Sequence, residues 1–349
     1  VKNDVFLRAC RREPTPYTPI WLMRQAGRYQ KEYRDIRAKV SFLELCKTPE
    51  LAAEVTVFAV DQLDVDAGII FADILLPLEP LGAPFEFGPG EGPKILEPVR
   101  TGAQVDALRT DVDAAGELGF VLEAIRQAQT RLDVPLLGFA GAPFTLASYL
   151  IEGGGSKNYF ETKKLMLGDA GVFRTLMERL VDVTIGYLNA QIHAGADAVQ
   201  VFDSWVGCLS PGEYATHVAP HMRRLFDGVS NEVPRIHFGT GNPALYPEMA
   251  RAGGEVIGID WRADLAGTWD RLGDVALMGN LDPGALLAGR EALLREARGV
   301  LDAARGRPGH VFNLGHGLMP AAQVPDVQAL VAHVKEQSRR DREEGAAGR

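Results

Sequence analysis

Short apolar runs bounded by Gly, Pro or Asp recur along the whole chain and alternate with longer amphipathic stretches. About eight of them have the length and flanking breakers of buried parallel strands. In order they are PIWLM (19–23), AGIIF (67–71), PLLGF (135–139), DAVQVF (197–202), RIHFG (235–239), VIGID (256–260), VALMG (275–279) and HVFNLG (310–315). Helical patterns such as PELAAEVTVFAVDQL and REALLREARGVLDAARG lie between them. Strand–helix–strand alternation places successive strands parallel with helical crossovers. About eight repeats predict a closed (β/α)8 TIM barrel, an α/β fold, as a single domain over 1–349. A polar C-terminal tail from about 336, EQSRRDREEGAAGR, is expected to fray. The runner-up, an open doubly wound sheet, carries a Gly-rich fingerprint after its first strand, where this chain has RQAGR. Residues 88–104, rich in Pro and Gly, form either a hairpin or a surface loop.

In a barrel the segments that follow the strands share one rim, where active sites of this architecture sit. Here those segments hold Arg24 and Arg28, Asp73, GAPFT, DSW, GTGN, DW, LDP and GHG. Composition narrows what such a rim can meet. With 349 residues, 46% hydrophobic, 24% charged and a formal charge of −9, the chain is that of a globular enzyme. The negative charge argues against nucleic acid or an anionic membrane surface as partner, so an anionic ligand needs a local basic cluster. Three scattered cysteines, Cys10, Cys46 and Cys208, suggest a reducing compartment and no disulfide framework. No run approaches the ~20 apolar residues of a membrane span, and VKNDVFLRACRREP lacks a signal-peptide core. A cytoplasmic location is expected.

Arg24 and Arg28 directly follow an apolar strand. If the chain turns helical there, the pair lies at i, i+4 with both guanidinium groups facing one space; as ordinary surface charge they need no such setting. Asp73 stands alone between GIIF and ILLPL, where an unpaired carboxylate needs a partner or a task; a helix cap is the plain alternative. GGGSK does not fit a phosphate loop, because Ser156 precedes Lys157, and reads better as a mobile loop over a pocket. Tyr149 reads as a core aromatic or a pocket hydroxyl. His217 and His221 have a metal-compatible spacing, but Pro220 interrupts it, no Glu fills the HExxH position and no Cys is nearby. His316 lies between glycines after the last strand, either as a carboxylate donor or as a structural histidine. Ser204 follows in FDSW. No nucleophile motif, metal set or organic cofactor motif joins these residues.

At PIWLMRQAGRYQKEYR and GFAGAPFTLASYLIEGGGSK the chain resembles the two signatures of the uroporphyrinogen decarboxylase family. FADIL, FDSW and NLGHG match further blocks in the same order, so the likeness runs from about Pro19 to Pro320. RYQKEY departs from the usual apolar residue and Pro before Glu-Tyr or Glu-Phe, which touches the turn after Arg28 and not the arginines. The resemblance implies a cofactor-free barrel enzyme, a homodimer of haem and tetrapyrrole synthesis. It would remove four acetate carboxyls from uroporphyrinogen III and its partially decarboxylated intermediates, giving coproporphyrinogen III. It assigns substrate binding to Arg24, Gln25, Ala26, Gly27, Arg28, Arg37, Asp73, Tyr149, Ser204 and His316, with Asp73, Arg28 and Arg24 as the catalytic candidates. Asp73 would accept the pyrrole N–H groups and face the ring cation that forms when the pyrrole α-carbon is protonated; no residue is assigned as the acid. Two rivals stay open: a corrinoid-linked methyltransferase with zinc on His and Cys, and a non-catalytic porphyrinogen carrier.

Overall fold

The computed structural model describes residues 2–88 and 92–347, with the side chains of Ala346 and Ala347 outside that description. Nine strands are assigned among the described residues: β1 (Gly68–Ile69), β2 (Phe85–Phe87), β3 (Pro93–Ile95), β4 (Leu136–Gly141), β5 (Ala198–Asp203), β6 (Arg235–Gly239), β7 (Val256–Gly258), β8 (Ala276–Met278) and β9 (His310–Val311). Seven form one sheet in the order β1-β4-β5-β6-β7-β8-β9, every pair parallel. β2 and β3 form an antiparallel hairpin, Phe85 opposite Ile95, so the stretch at 88–104 begins as a hairpin; its tip at 89–91 lies outside the described residues.

The sheet is buried on both faces and mostly apolar, which is why its strands read as largely hydrophobic runs. All of β4 is buried, as are Ala198, Val199 and Val201 of β5. The helices cover it with one stripe each. Arg290–Ala304 buries Leu293, Ala297, Leu301 and Ala304, a spacing that keeps one face inward. Pro143–Glu152, which follows β4, starts with Pro at its first turn and ends at Gly153, whose φ of +89° makes the left-handed cap that an L side chain disfavours. No described helix is long and apolar enough to cross a membrane.

Two expectations change. The run at 19–23 is not a regular strand. It forms a single parallel bridge, Ile20 to Phe312, beside β9. On that side Phe312 N–H donates to Pro19 C=O at 2.8 Å and Trp21 N–H to Phe312 C=O at 3.3 Å. On the β1 side Asp66 N–H donates to Ile20 C=O at 2.8 Å. Side chains take the other donors: Ile20 N–H reaches Asp66 Oδ2 at 2.9 Å, Leu22 N–H reaches Gln25 Oε1 at 3.1 Å, and Met23 N–H reaches Asn313 Oδ1 at 3.1 Å. The segment occupies a strand's place, but carboxylate and amide oxygens stand in for the neighbouring ladder.

The C-terminal tail is helical instead of frayed, within Val324–Ala347. Val327, Leu330, Val331, Val334 and Ser338 turn one face inward. Ser338 Oγ accepts Thr18 N–H at 2.9 Å, and Arg298 grips Asp341 at 2.9 Å. These ties extend the helix past the apolar pattern.

Asp66 is fully buried and also accepts from Tyr17 Oη at 2.8 Å and Asn3 Nδ2 at 3.1 Å, with Lys335 Nζ at 3.3 Å. Asp66→Ala should therefore cost about 3 kcal/mol or more, because it orphans several donors at once. Urea midpoints measure this, and a loss under ~1 kcal/mol would show that 19–23 is held otherwise.

Candidate active site

The exits of the sheet open on one cavity of about 500 Å3. Three aromatic side chains from consecutive strands line its strand side: Phe139 of β4, Phe202 of β5 and Phe238 of β6. They pack edge to face with ring centres 5.5 and 5.8 Å apart. Phe71, Phe42 and Phe87 continue the apolar lining, Phe42 and Phe87 with centres 4.8 Å apart.

Polar groups enter from the loops. Arg24 follows the stitched segment in a turn closed by Gln25 N–H to Leu22 C=O at 2.9 Å, and its own φ is +60°. Such a φ is uncommon outside glycine and costs on the order of 1 kcal/mol or more, so the surroundings must hold it. They do: Met23 C=O accepts Leu318 N–H at 2.8 Å, and Arg24's stem lies on Gly317. A methyl at Gly317 would stand 2.5 Å from Arg24 Cδ, so a larger residue there would push the arginine out of this position.

The expected i, i+4 helical pairing of Arg24 and Arg28 does not occur. Residues 22–29 are turns and bends, and the helix begins at Lys31 (Lys31–Arg37). Both arginines are exposed and line the same cavity nonetheless, with Arg37 from the end of that helix. Among the described residues, no carboxylate lies within 4.0 Å of the guanidinium of Arg24, Arg28 or Arg37. In a chain of net charge −9, three cations facing one cavity, none of them ion-paired, form a site for an anionic ligand.

Asp73 lies in the cavity among Ala72, Ile74 and Leu75. One oxygen accepts Leu75 N–H at 2.8 Å, the cap-like bond expected of an Asp at a turn. Burial raises its pKa to about 6, against that bond and the Arg24 charge, which lower it. The carboxyl is thus an anion at neutral pH with its second oxygen open to a ligand donor. His316 accepts Gly317 N–H on Nδ1 at 2.8 Å, which leaves the proton of the neutral ring on Nε2. Burial, with Arg24 and Arg262 nearby, lowers its pKa, so at neutral pH it is an uncharged donor.

Tyr149, Ser204, Ala26 and Gly27 also line the cavity. Tyr149 packs on Trp205 with ring centres 4.1 Å apart, and burial raises its phenol pKa. Gln25 does not line the cavity. It is buried, with Oε1 on Leu22 N–H and Nε2 donating to Ala67 C=O at 3.1 Å, so it builds the Arg24 turn. No residue of the GGGSK loop lines the cavity, and the loop is tied to the hairpin beside it: Gly153 C=O accepts Ile95 N–H at 2.9 Å, and Gly154 bridges Lys94. His217 ends one helix (Pro211–His217) and His221 belongs to the next (Ala219–Gly228), so their sequence spacing is not a helical one. The aromatic lining escaped the sequence reading. Its only signal was an aromatic in each of three consecutive strand runs, indistinguishable there from core.

A family model described as uroporphyrinogen decarboxylase matches residues 1–337. The uroporphyrinogen decarboxylase of Sorangium cellulosum is 55% identical over 333 residues, 94% of this chain and 95% of that protein. That of Streptomyces coelicolor is 49% identical over 343 residues, 97% of this chain and 96% of that protein. Among solved structures, a methyltransferase from Methanosarcina mazei superposes with a TM-score of 0.82 at 21% identity, covering 96% of this chain and 98% of that one. At that identity it speaks for the fold alone.

A carboxyl with a raised folded-state pKa destabilises the folded chain as pH rises from its ordinary 3.8 through about 6. Asp73→Asn should stabilise the unliganded protein by on the order of 1 kcal/mol at pH 8, after discounting for the open side of the cavity. The gain should shrink below pH 6. Urea unfolding at the two pH values measures it, and an Asn variant less stable at pH 8 would rule out burial as the cause.

Proposed function

The chain belongs to the uroporphyrinogen decarboxylase family and is a carboxy-lyase, and on that premise we propose that Asp73 is the group around which uroporphyrinogen III loses its four acetate carboxyls to give coproporphyrinogen III. The observation that carries the assignment is the cavity itself, in which one anionic carboxylate shares an aromatic-lined space with Arg24, Arg28, Arg37 and His316. The cations meet the carboxylate arms of the substrate. Asp73 accepts pyrrole N–H bonds on its open oxygen.

Protonation of a pyrrole α-carbon makes that ring cationic. The bond between the acetate methylene and its carboxylate then breaks, carbon dioxide leaves, and the electron pair flows into the cationic ring. A second proton on the methylene carbon, with loss of the first from the ring, leaves a methyl group. Asp73 faces the ring during its cationic stage, where an anion in a desolvated wall stabilises charge that the ground state lacks. Arg24 and Arg28 hold carboxylates and orient the reacting arm, His316 adds a neutral donor, and Tyr149 and Ser204 offer hydroxyls. Ala26 and Gly27 contribute the small surfaces between the arginines.

The finer architecture follows the same reading. With 19–23 hydrogen-bonded towards both β9 and β1, the seven parallel strands are read as a closed (β/α)8 barrel of one domain; the bonds on both sides of Ile20 support this. Family membership likewise supports a cytoplasmic homodimer serving haem synthesis.

Asp73→Asn should keep the fold and lower kcat by ~100-fold or more. Anaerobic incubation with uroporphyrinogen III and chromatographic counting of carboxyls reads it, and near-normal turnover would defeat the electrostatic role. In wild type, kcat/KM should fall as pH drops through about 6, where Asp73 takes up its proton in the free enzyme. Arg28→Ala should lower kcat/KM by ~10–100-fold, the loss of a charge-assisted bond. An unchanged profile would reduce Arg28 to surface charge.

A further inference from the structure

Behind the cavity wall a second carboxyl is buried without a cation. Asp203, the last residue of β5, is fully enclosed, and among the described residues no Lys, Arg or His nitrogen lies within 4.0 Å of it. Its Oδ1 accepts the Thr145 hydroxyl at 2.9 Å, while Oδ2 has no partner. Thr145 is also fully buried, in the first turn of Pro143–Glu152. Its hydroxyl uses its one proton towards Asp203 and accepts Trp205 N–H at 3.3 Å. The two bonds clamp the exit of β5 onto the helix that follows β4.

The clamp lies directly behind two residues of the cavity. Ser204, which lines the cavity, is the residue between the two that Thr145 holds. Tyr149, also lining it, is four residues after Thr145 and so on the same helix face. Its ring meets Trp205 at 4.1 Å between centres, and Tyr159 closes the other contact of that indole at 5.0 Å. Fixing Thr145 therefore fixes both the height of Ser204 and the phase of Tyr149 against Trp205. Burying a carboxyl for packing alone is unfavourable; an apolar residue would fill the space at lower cost, and it could not orient a hydroxyl.

We propose that Asp203 is a positioning residue for the decarboxylation, acting through the Thr145 hydroxyl to hold the Ser204–Trp205 exit and Tyr149 as one rigid wall of the substrate cavity. The proposal rests on the decarboxylase reading for its kinetic consequence but not for its geometry, and the two can fail separately.

Four variants test it: Thr145→Val, which keeps the shape and removes both bonds; Thr145→Ser, which keeps the hydroxyl; Asp203→Leu, which removes the acceptor; and Asp203→Asn, which keeps one acceptor oxygen. Thr145→Val and Asp203→Leu should lower kcat/KM by about tenfold, chiefly through KM, since the wall binds substrate and they lose two and one of its hydrogen bonds. Thr145→Ser and Asp203→Asn should return to within about threefold of wild type. In a double-mutant cycle, Thr145→Val should lose most of its effect when Tyr149 is already Phe, because both changes act on one wall. Independently of turnover, the emission of Trp205, isolated by subtracting the spectrum of a Trp205→Phe protein, should shift in Thr145→Val and not in Thr145→Ser. Thermal unfolding confirms that each protein is folded; if Asp203→Leu does not fold, Thr145→Val decides. Full additivity in the cycle, a Thr145→Val enzyme within twofold of wild type, or an unshifted Trp205 spectrum would each overturn the proposal. Should wild type itself release no carbon dioxide, the decarboxylase reading falls, and the Trp205 spectrum still decides the clamp.

Discussion

Everything at the mouth of the sheet depends on how one irregular segment is seated. Residues 19–23 have the place of a strand between β9 and β1 without a full ladder on either side. The buried Asp66 carboxylate closes the gap by taking Ile20 N–H while its own N–H returns to Ile20 C=O. It is shared with Tyr17 and with Lys335 of the C-terminal helix, so the two ends of the chain meet on one anion. A carboxylate buried this deeply is tolerable only because each oxygen has donors. Arg24 hangs directly from this seat, in a left-handed turn that a looser support would let relax.

That seat sets the electrostatics. Elsewhere in the chain, arginines such as Arg235 and Arg298 are paired with Glu255 and Asp341. In the cavity Arg24, Arg28 and Arg37 face inward without such partners among the described residues, and the carboxylate present, Asp73, is raised in pKa by burial. The unliganded site is therefore less stable than its residues could make it. It holds more positive than negative charge, an excess that an anionic molecule can balance, and this is what pre-organisation for a polyanion requires. The neutral state of His316 follows first from its burial and then from the nearby Arg24 and Arg262, and the bond from Gly317 N–H to Nδ1 puts its proton on Nε2.

The sequence was informative where local pattern and tertiary role agree. The run at 235–239 is strand β6 residue for residue, and 135–139 and 197–202 cover most of β4 and β5, because interior parallel strands are buried on both faces. It was misleading where side chains replace backbone: 19–23 has a strand's composition, yet its hydrogen bonds go to Asp66, Gln25 and Asn313. The same substitution took Gln25 out of the cavity and made it a brace. Arg24 and Arg28 were grouped correctly for a reason that does not hold, since a turn and not a helix brings them to one cavity. Asp203 and Thr145 stood in the strand exits DSW and GAPFT, but nothing in the sequence joined them: they are 58 residues apart, and one hydroxyl links them.

The mixed lining carries the last step. On the proposed reaction, each acetate arm enters as a carboxylate and leaves as a methyl, so a site reused for all four must accept both. Arginines alone would release a methylated arm poorly matched to them; phenylalanines alone would not hold the substrate. Here the cations lie on the turn at 24–28 and the end of the helix at 31–37, and the apolar surface on the strands, with Phe139, Phe202 and Phe238 in one row. A low-polarity wall also strengthens the interaction of Asp73 with a neighbouring cationic ring, because little water screens it. The same rings that tolerate the product thus sharpen the charge effect that produces it.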